Sequence, residues 1–90
     1  ADKPVFKVQI LVSSRKLKNG DPHLKGLTDY DFYQEAGYCK YTVGESANYN
    51  EIYRLRKQIL DKFPEAFIIA FKNGAKMNVN EAIREFKNNR

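Results

Sequence analysis

The stretch Phe6-Lys7-Val8-Gln9-Ile10-Leu11-Val12 reads as a strand, and a strand of that composition needs two different environments. Side chains alternate across a strand, so Phe6, Val8, Ile10 and Val12 form an apolar row for a core. Lys7, Gln9 and Leu11 form a mixed row that water can wet. The rest of the chain has to cover the first row and leave the second accessible.

Ninety residues with 42% apolar content suit one small domain with a single modest core. The longest apolar runs, Ile10-Leu11-Val12 and Ala66-Phe67-Ile68-Ile69-Ala70-Phe71, fall far short of a membrane span, and no signal-peptide pattern opens the chain. The expected division is a linker over 1–4, one domain over 5–87 and a frayed tail over 88–90. One cysteine excludes an internal disulfide, and Cys39 with His23 is too small a set for a zinc site or a Cys/His nucleophile pair. Neither a catalytic residue, a metal nor a cofactor is expected, and the chain reads as a non-enzyme. Lysine and arginine outnumber the acids 16 to 11, a balance that suits an anionic partner and equally suits plain solubility.

Beyond the first strand, Ser13 to Leu27 has no sustained helical period. Asp21-Pro22-His23-Leu24-Lys25-Gly26 predicts one short turn, with Asp21 as N-cap, Pro22 at the first position and Gly26 past the end. The loop carries Arg15, Lys16, Lys18, His23 and Lys25, a basic set that is either solvated or a ligand contact. Tyr30–Glu35 and Tyr38–Val43 then alternate around Ala36-Gly37 and predict a hairpin in which Phe32 faces Tyr41, Tyr30 faces Val43 and Gln34 faces Cys39. On the other side Tyr33 faces Lys40, Asp31 faces Thr42 and Glu35 faces Tyr38. Alanine disfavours positive φ, which points to a wider four-residue turn in the same register.

Asn48-Tyr49-Asn50-Glu51 is a capping-box pattern, and Ile52, Leu55, Ile59 and Phe63 follow at helical spacing until Pro64 ends the helix. Ala66 to Phe71 predicts a strand with Phe67, Ile69 and Phe71 as its core row, followed by a tight turn at Lys72-Asn73-Gly74. Asn78-Val79-Asn80-Glu81 repeats the cap ahead of a short terminal helix through Ala82, Ile83 and Phe86. The predicted core is Val8, Ile10, Phe32, Tyr41, Val43, Ile52, Leu55, Ile59, Phe67 and Ile69, with Cys39 on the same side. The predicted fold class is α+β: the ferredoxin-like βαββαβ plan, a four-stranded antiparallel sheet with helices on one face, the first helix reduced to a loop or short turn, and an extra C-terminal helix. The first and third strands are central in that plan, which puts Lys7, Gln9 and Leu11 beside Tyr38, Lys40 and Thr42, with Tyr33 flanking.

Phe6-Lys7-Val8-Gln9 resembles the aromatic-x-Val-Gln opening of the SPOR domain, and Tyr38-Cys39-Lys40-Tyr41-Thr42-Val43-Gly44 resembles its third strand. Tyr49, Ile52 and Leu55 stand in the place of its second helix. Phe63 to Gly74 is similar to the form found at the C-terminus of Bacteroidetes N-acetylmuramoyl-L-alanine amidases. The likeness covers about residues 5 to 74 and departs from the family at Ile10-Leu11-Val12-Ser13 and in the missing first helix.

The resemblance implies a non-catalytic module that binds peptidoglycan glycan strands stripped of their stem peptides and so brings a cell-wall amidase or division protein to the septum, in the periplasm or cell envelope. Catalysis would then lie in another domain of a parent amidase, and the module itself would be monomeric, with no nucleic-acid partner and no membrane span. Loss of the peptide uncovers a lactyl carboxylate on each repeat, which Lys7 and Lys40 can meet with charge-assisted hydrogen bonds. Gln9 matches an N-acetyl group, Tyr33, Tyr38 and Leu11 offer flat apolar area, and Thr42 completes the row. The competing readings are a solvated sheet face without a ligand, an RNA-binding sheet, whose Gly-aromatic signature the third strand lacks, and a protein–protein interaction module.

Overall fold

The computed structural model describes residues 3–88, which form an α+β fold. In chain order the elements are β1 (Val5–Ser13), a single 3₁₀ turn (Pro22–Leu24), β2 (Asp31–Glu35), β3 (Tyr38–Ser46), α1 (Tyr49–Ile59), β4 (Phe67–Lys72), β5 (Ala75–Met77) and α2 (Val79–Asn88). All neighbouring strands are antiparallel, in the order β2-β3-β1-β4-β5. The predicted centre of the sheet is therefore present, but the sheet has five strands where four were expected. The added β5 follows a turn at Asn73 and Gly74, with φ of 52° and 81°, and is only three residues long. So short a segment has no period to betray it. Of the expected linker and tail, Ala1, Asp2, Asn89 and Arg90 lie outside the described residues; Pro4 is buried and Asn88 closes α2.

Phe6 and Val8 are fully buried and Ile10 nearly so. The Phe6 ring meets Tyr49 of α1 edge-on at 5.3 Å and Phe86 of α2 at 6.3 Å, so both helices lie on the Phe6 side of the sheet. In place of a first helix, the 3₁₀ turn is capped by Asp21, whose carboxylate accepts from the His23 N–H at 2.8 Å, and it anchors the loop through buried Leu24. A second anchor is the Tyr41 hydroxyl, which accepts from the Leu17 N–H at 2.6 Å. Asn48 caps α1 as expected, accepting from the Asn50 N–H at 2.9 Å. Glu51 does not reach back to Asn48. It accepts from the Ser46 hydroxyl at 2.6 Å, and Ser46 in turn accepts from the Asn48 N–H at 2.9 Å, so one serine relays the reciprocal bond of the box. The helix stops at Ile59 instead of running to Phe63, which is buried in the turn beyond it.

Two bulges set the sheet. Between Gln9↔Thr42 and Leu11↔Tyr41 the extra residue is in β1, so Ile10 and Leu11 together oppose Tyr41 on the core side. The expected alternation fails from there onward. Leu11 packs against the core rather than standing in the wettable row, and Val12, paired with Lys40, emerges on the opposite face. Between Phe6↔Ser46 and Val8↔Val43 the extra residue is in β3, at Gly44 with φ 72°. A Cβ there would lie 2.3 Å from the Leu55 Cδ2 methyl, so the same residue that permits the bulge lets α1 settle onto the strand.

The hairpin register is the predicted one from Asp31↔Thr42 to Glu35↔Tyr38, with Tyr30 just outside the ladder. Its turn is the tight two-residue form, not the wider one, with φ of 54° at Ala36 and 83° at Gly37. β4 is assigned to the wrong face by its sequence. Its register pairs Ile68 with Val8 and Ala70 with Phe6, which turns Ile68 and Ala70 to the core and Phe67, Ile69 and Phe71 to the other side. Every residue from Ala66 to Phe71 is apolar, so alternation cannot choose between the rows. Small Ala70 beside Phe6 leaves room for the helices. Of the predicted core, Val8, Ile10, Tyr41, Val43 and Ile52 are buried in it and Phe32, Leu55 and Ile59 pack against it. Ile69 is buried on the opposite face and Phe67 is exposed.

Gly44→Ala should cost about 1–3 kcal/mol, because a left-handed alanine is strained and Leu55 must be pushed aside. Ala36→Asn should raise stability by up to about 1 kcal/mol, since asparagine tolerates the φ that alanine resists. Denaturant midpoints at constant m-value test both, and an unchanged midpoint for Gly44→Ala would contradict the bulge geometry.

Candidate functional site

The face away from the helices carries Lys7 and Gln9 from β1, Tyr33 and Glu35 from β2, Tyr38, Lys40 and Thr42 from β3, Phe67, Ile69 and Phe71 from β4, and Lys76 from β5. It is not open. Over four strand spacings β2 and β5 would stand roughly 19 Å apart in a flat sheet, yet Lys76 Nζ lies 3.0 Å from Glu35 Oε1 and 5.5 Å from the Tyr33 ring centre. The Tyr33 ring also meets Phe71 edge-on at 5.2 Å. The sheet has curled until its two edges touch across the concave side.

That closure decides where the expected site residues stand. Gln9 is 5% exposed and accepts from the Tyr33 hydroxyl at 2.6 Å; Thr42 is 1% exposed. Lys7 lies 3.4 Å from Glu45 and 3.8 Å from Asp31, with its ammonium 5.2 Å from the Phe71 ring centre. Lys40 pairs with Glu35 at 2.5 Å. Tyr33, Lys7 and Lys40 are half-buried, Leu11 has turned to the core side, and Tyr38 stands free at 49% exposure. The inner set therefore forms a small polar interior rather than a surface.

What faces solvent is an apolar trio: Tyr38 on β3, Val12 on β1 and Phe67 on β4, each close to half exposed. All three lie on the concave side, on three adjacent strands. Sequence reasoning missed Val12 and Phe67. The signal for Val12 was Ile10-Leu11-Val12 itself, since three successive apolar residues in an otherwise alternating strand fit a bulge that puts two of them on one side. Next to the trio is a groove of about 810 Å³, lined by Gln9 to Arg15 of β1 and its loop, by His23 and Lys25, and by Phe63 to Glu65 and Phe67. Arg15 is exposed and forms no ion pair among the described residues. Among the same residues no three His, Cys, Asp or Glu side chains gather as a metal site, and no helix is long and apolar enough to cross a membrane.

Glu35 is the charge centre of the clasp. Hydrogen bonds from Lys40 and then Lys76 hold its carboxyl below the ordinary glutamate range. Burial pushes the Lys76 ammonium down, but hydrogen bonds with Glu35 and Tyr33 outweigh it and leave its pKa raised. A lowered carboxyl pKa stabilises the fold above the unfolded value, and that stabilisation is lost as the pH falls through the lowered one. The raised lysine contributes below its unfolded pKa and ceases to do so at high alkalinity. The stability difference between the parent and Glu35→Gln should therefore be largest near neutrality and shrink as the pH drops below about 4.3. Urea titrations from pH 7 to pH 3 measure it, and a difference independent of pH would show that Glu35 contributes no ionic term.

Compared with known protein families, with curated proteins and with solved structures, the chain matches none.

Proposed function

We propose that this chain is a non-catalytic module that binds peptidoglycan glycan strands stripped of stem peptides, with the trio Val12, Tyr38 and Phe67 as its platform. The observation that carries the reading is that three of the four large apolar side chains left exposed among the described residues, at 48–50%, share one face of the sheet, while the fourth, Tyr53 at 40%, stands apart on α1. Exposed apolar patches with polar rims mark binding surfaces, and sugar rings present apolar C–H faces that pack on tyrosine and phenylalanine. Tyr38 and Phe67 lie two strands apart and four residues apart along the strand direction, because Phe67 and Thr42 are both level with Gln9, so the platform runs diagonally across the sheet and successive sugars of an extended glycan can lie along it.

The lactyl carboxylate exposed by peptide removal gives a reason for selectivity. Arg15 at the rim offers a planar donor pair suited to it, and Lys40 can contribute if it is shared with Glu35. The role first expected of Lys7, Gln9, Thr42 and Tyr33 changes accordingly: they support the platform from within, through the Tyr33 to Gln9 hydrogen bond and the ion pairs of Lys7. The four strands β1 to β4 in their observed order, with α1 between β3 and β4, support the ferredoxin-like plan of the SPOR domain, here with a fifth strand added. On this reading the module acts in the periplasm or cell envelope, as a monomer, and serves a cell-wall amidase or division protein whose catalysis lies elsewhere.

Co-sedimentation with amidase-treated and untreated sacculi tests the proposal. The parent should prefer treated sacculi. Tyr38→Ala and Phe67→Ala should each weaken binding by up to about tenfold, with circular dichroism unchanged, and Arg15→Ala should reduce the salt dependence. Equal binding to both kinds of sacculi would overturn the reading, as would stronger retention on single-stranded RNA.

A further inference from the structure

Two ammonium groups converge on a single carboxylate at the clasp. Lys40 Nζ lies 2.5 Å and Lys76 Nζ 3.0 Å from the same oxygen of Glu35, Oε1, and among the described residues this carboxylate has no other hydrogen-bond or ion-pair partner. Asp31 and Glu45 are engaged elsewhere, by Lys7 at 3.8 Å and 3.4 Å, so positive charge is in excess around Glu35. Side-chain exposure rises from 19% for Lys40 to 40% for Glu35, which makes the acid the outer member of that pair, open to solvent. Glu35 is also the last residue of β2, ahead of the turn at Ala36 and Gly37, so its side chain can leave the lysines without unpacking the sheet.

The position of this cluster matters as much as its charge. Lys40 is paired with Val12 of β1 on one side and with Tyr33 of β2 on the other, and Tyr38 stands two residues along the same strand on the same face. Directly opposed side chains start about 5 Å apart, and those two residues apart about 7 Å, so Lys40 borders both Val12 and Tyr38 of the platform. Glu35 faces Tyr38 across the hairpin. We infer that Glu35 is the internal occupant of a carboxylate site formed by Lys40 and Lys76, and that a carboxylate on a bound ligand takes its place there. The exchange conserves charge-assisted hydrogen bonds, whereas a neutral amide would leave the half-buried Lys40 without a counter-ion. Glu35 thereby keeps neutral groups off the lysines and holds affinity for acids down, since a ligand meets a site already filled. The identity of that ligand as a lactyl carboxylate rests on the glycan reading, and the site itself does not.

The probes are sodium lactate and lactamide, which share a skeleton and differ in carrying a carboxylate or an amide, as bared and peptide-capped glycans do. Lactate should raise the urea midpoint of Glu35→Ala saturably above its value in sodium chloride at equal ionic strength. Lactamide should not, and in the double variant Glu35→Ala/Lys40→Ala the lactate effect should vanish. In ¹⁵N spectra of Glu35→Ala, lactate should shift the amides of Lys40 and Lys76 most. Glu35→Gln, which keeps the shape of the side chain, carries the same titration if the alanine variant does not fold. On amidase-treated sacculi Glu35→Gln should bind roughly threefold tighter than the parent and with a steeper salt dependence, with binding to untreated sacculi unchanged. Glu81→Gln, the same charge change at an exposed site on α2, should bind as the parent does. Saturation by lactate in a chain that shows no preference for treated sacculi would support the carboxylate site and sink the glycan reading. Lactate acting no differently from chloride or lactamide, or Glu35→Gln binding treated sacculi no tighter than a parent that prefers them, would overturn the inference and leave the platform standing.

Discussion

The hydrogen bond from Tyr33 to Gln9 spans the concave side of the sheet and decides what that side can be. Gln9 lies on the central strand and is buried, so its carbonyl oxygen needs a donor, and the donor comes from the edge strand β2. Holding Tyr33 inward brings its ring onto Phe71 and under Lys76, and these contacts join β2 to β4 and β5. An otherwise two-layer fold thereby gains a second, small interior made of Gln9, Thr42, Ile69 and the lysine stems. Its cost is that the residues best suited to recognise a ligand are committed to one another.

Most of the architecture was legible where a local rule and a tertiary demand agree. The hairpin register could be read because apolar residues pair with apolar ones in one register only, and both helix starts carry asparagine caps that the structure uses. The alternation of β1 was legible as far as Ile10. It failed at Leu11 because a bulge is a property of two strands, and the run Ile10-Leu11-Val12 is compatible with one without fixing where the partner strand places it. β4 failed for a different reason: an unbroken apolar run has no preferred face, and only pairing with β1 supplies one.

The candidate site was legible in part for the same causes. Tyr38 was placed correctly, because its position follows from the hairpin. Val12 and Phe67 were hidden by the bulge and by the β4 inversion, and Gln9, Thr42 and Lys7 were read as surface because curl is invisible in a pattern of alternation. Curl arises from the summed twist of five strands, and it left the exposed apolar area not in the middle of the sheet but at the end where β4 stops.

The central position of β1 has a kinetic consequence. Its partners lie far along the chain, with Val8 meeting Val43 and then Ile68. The hairpin β2–β3 and the helix α1 can form from local contacts, but the strand between β3 and β4 must wait for two long loops to close, and closure entropy is spent before those contacts reward it. During that wait a continuous stretch of Phe, Val, Ile and Leu is unpaired on both edges. The lysine at position 7 and the glutamine at position 9 then act as interruptions that make the free strand a poorer template for its own copies. The polar row of β1 would thus be useful before the sheet exists, in an ensemble where neither Tyr33 nor the acids that later engage it have yet arrived.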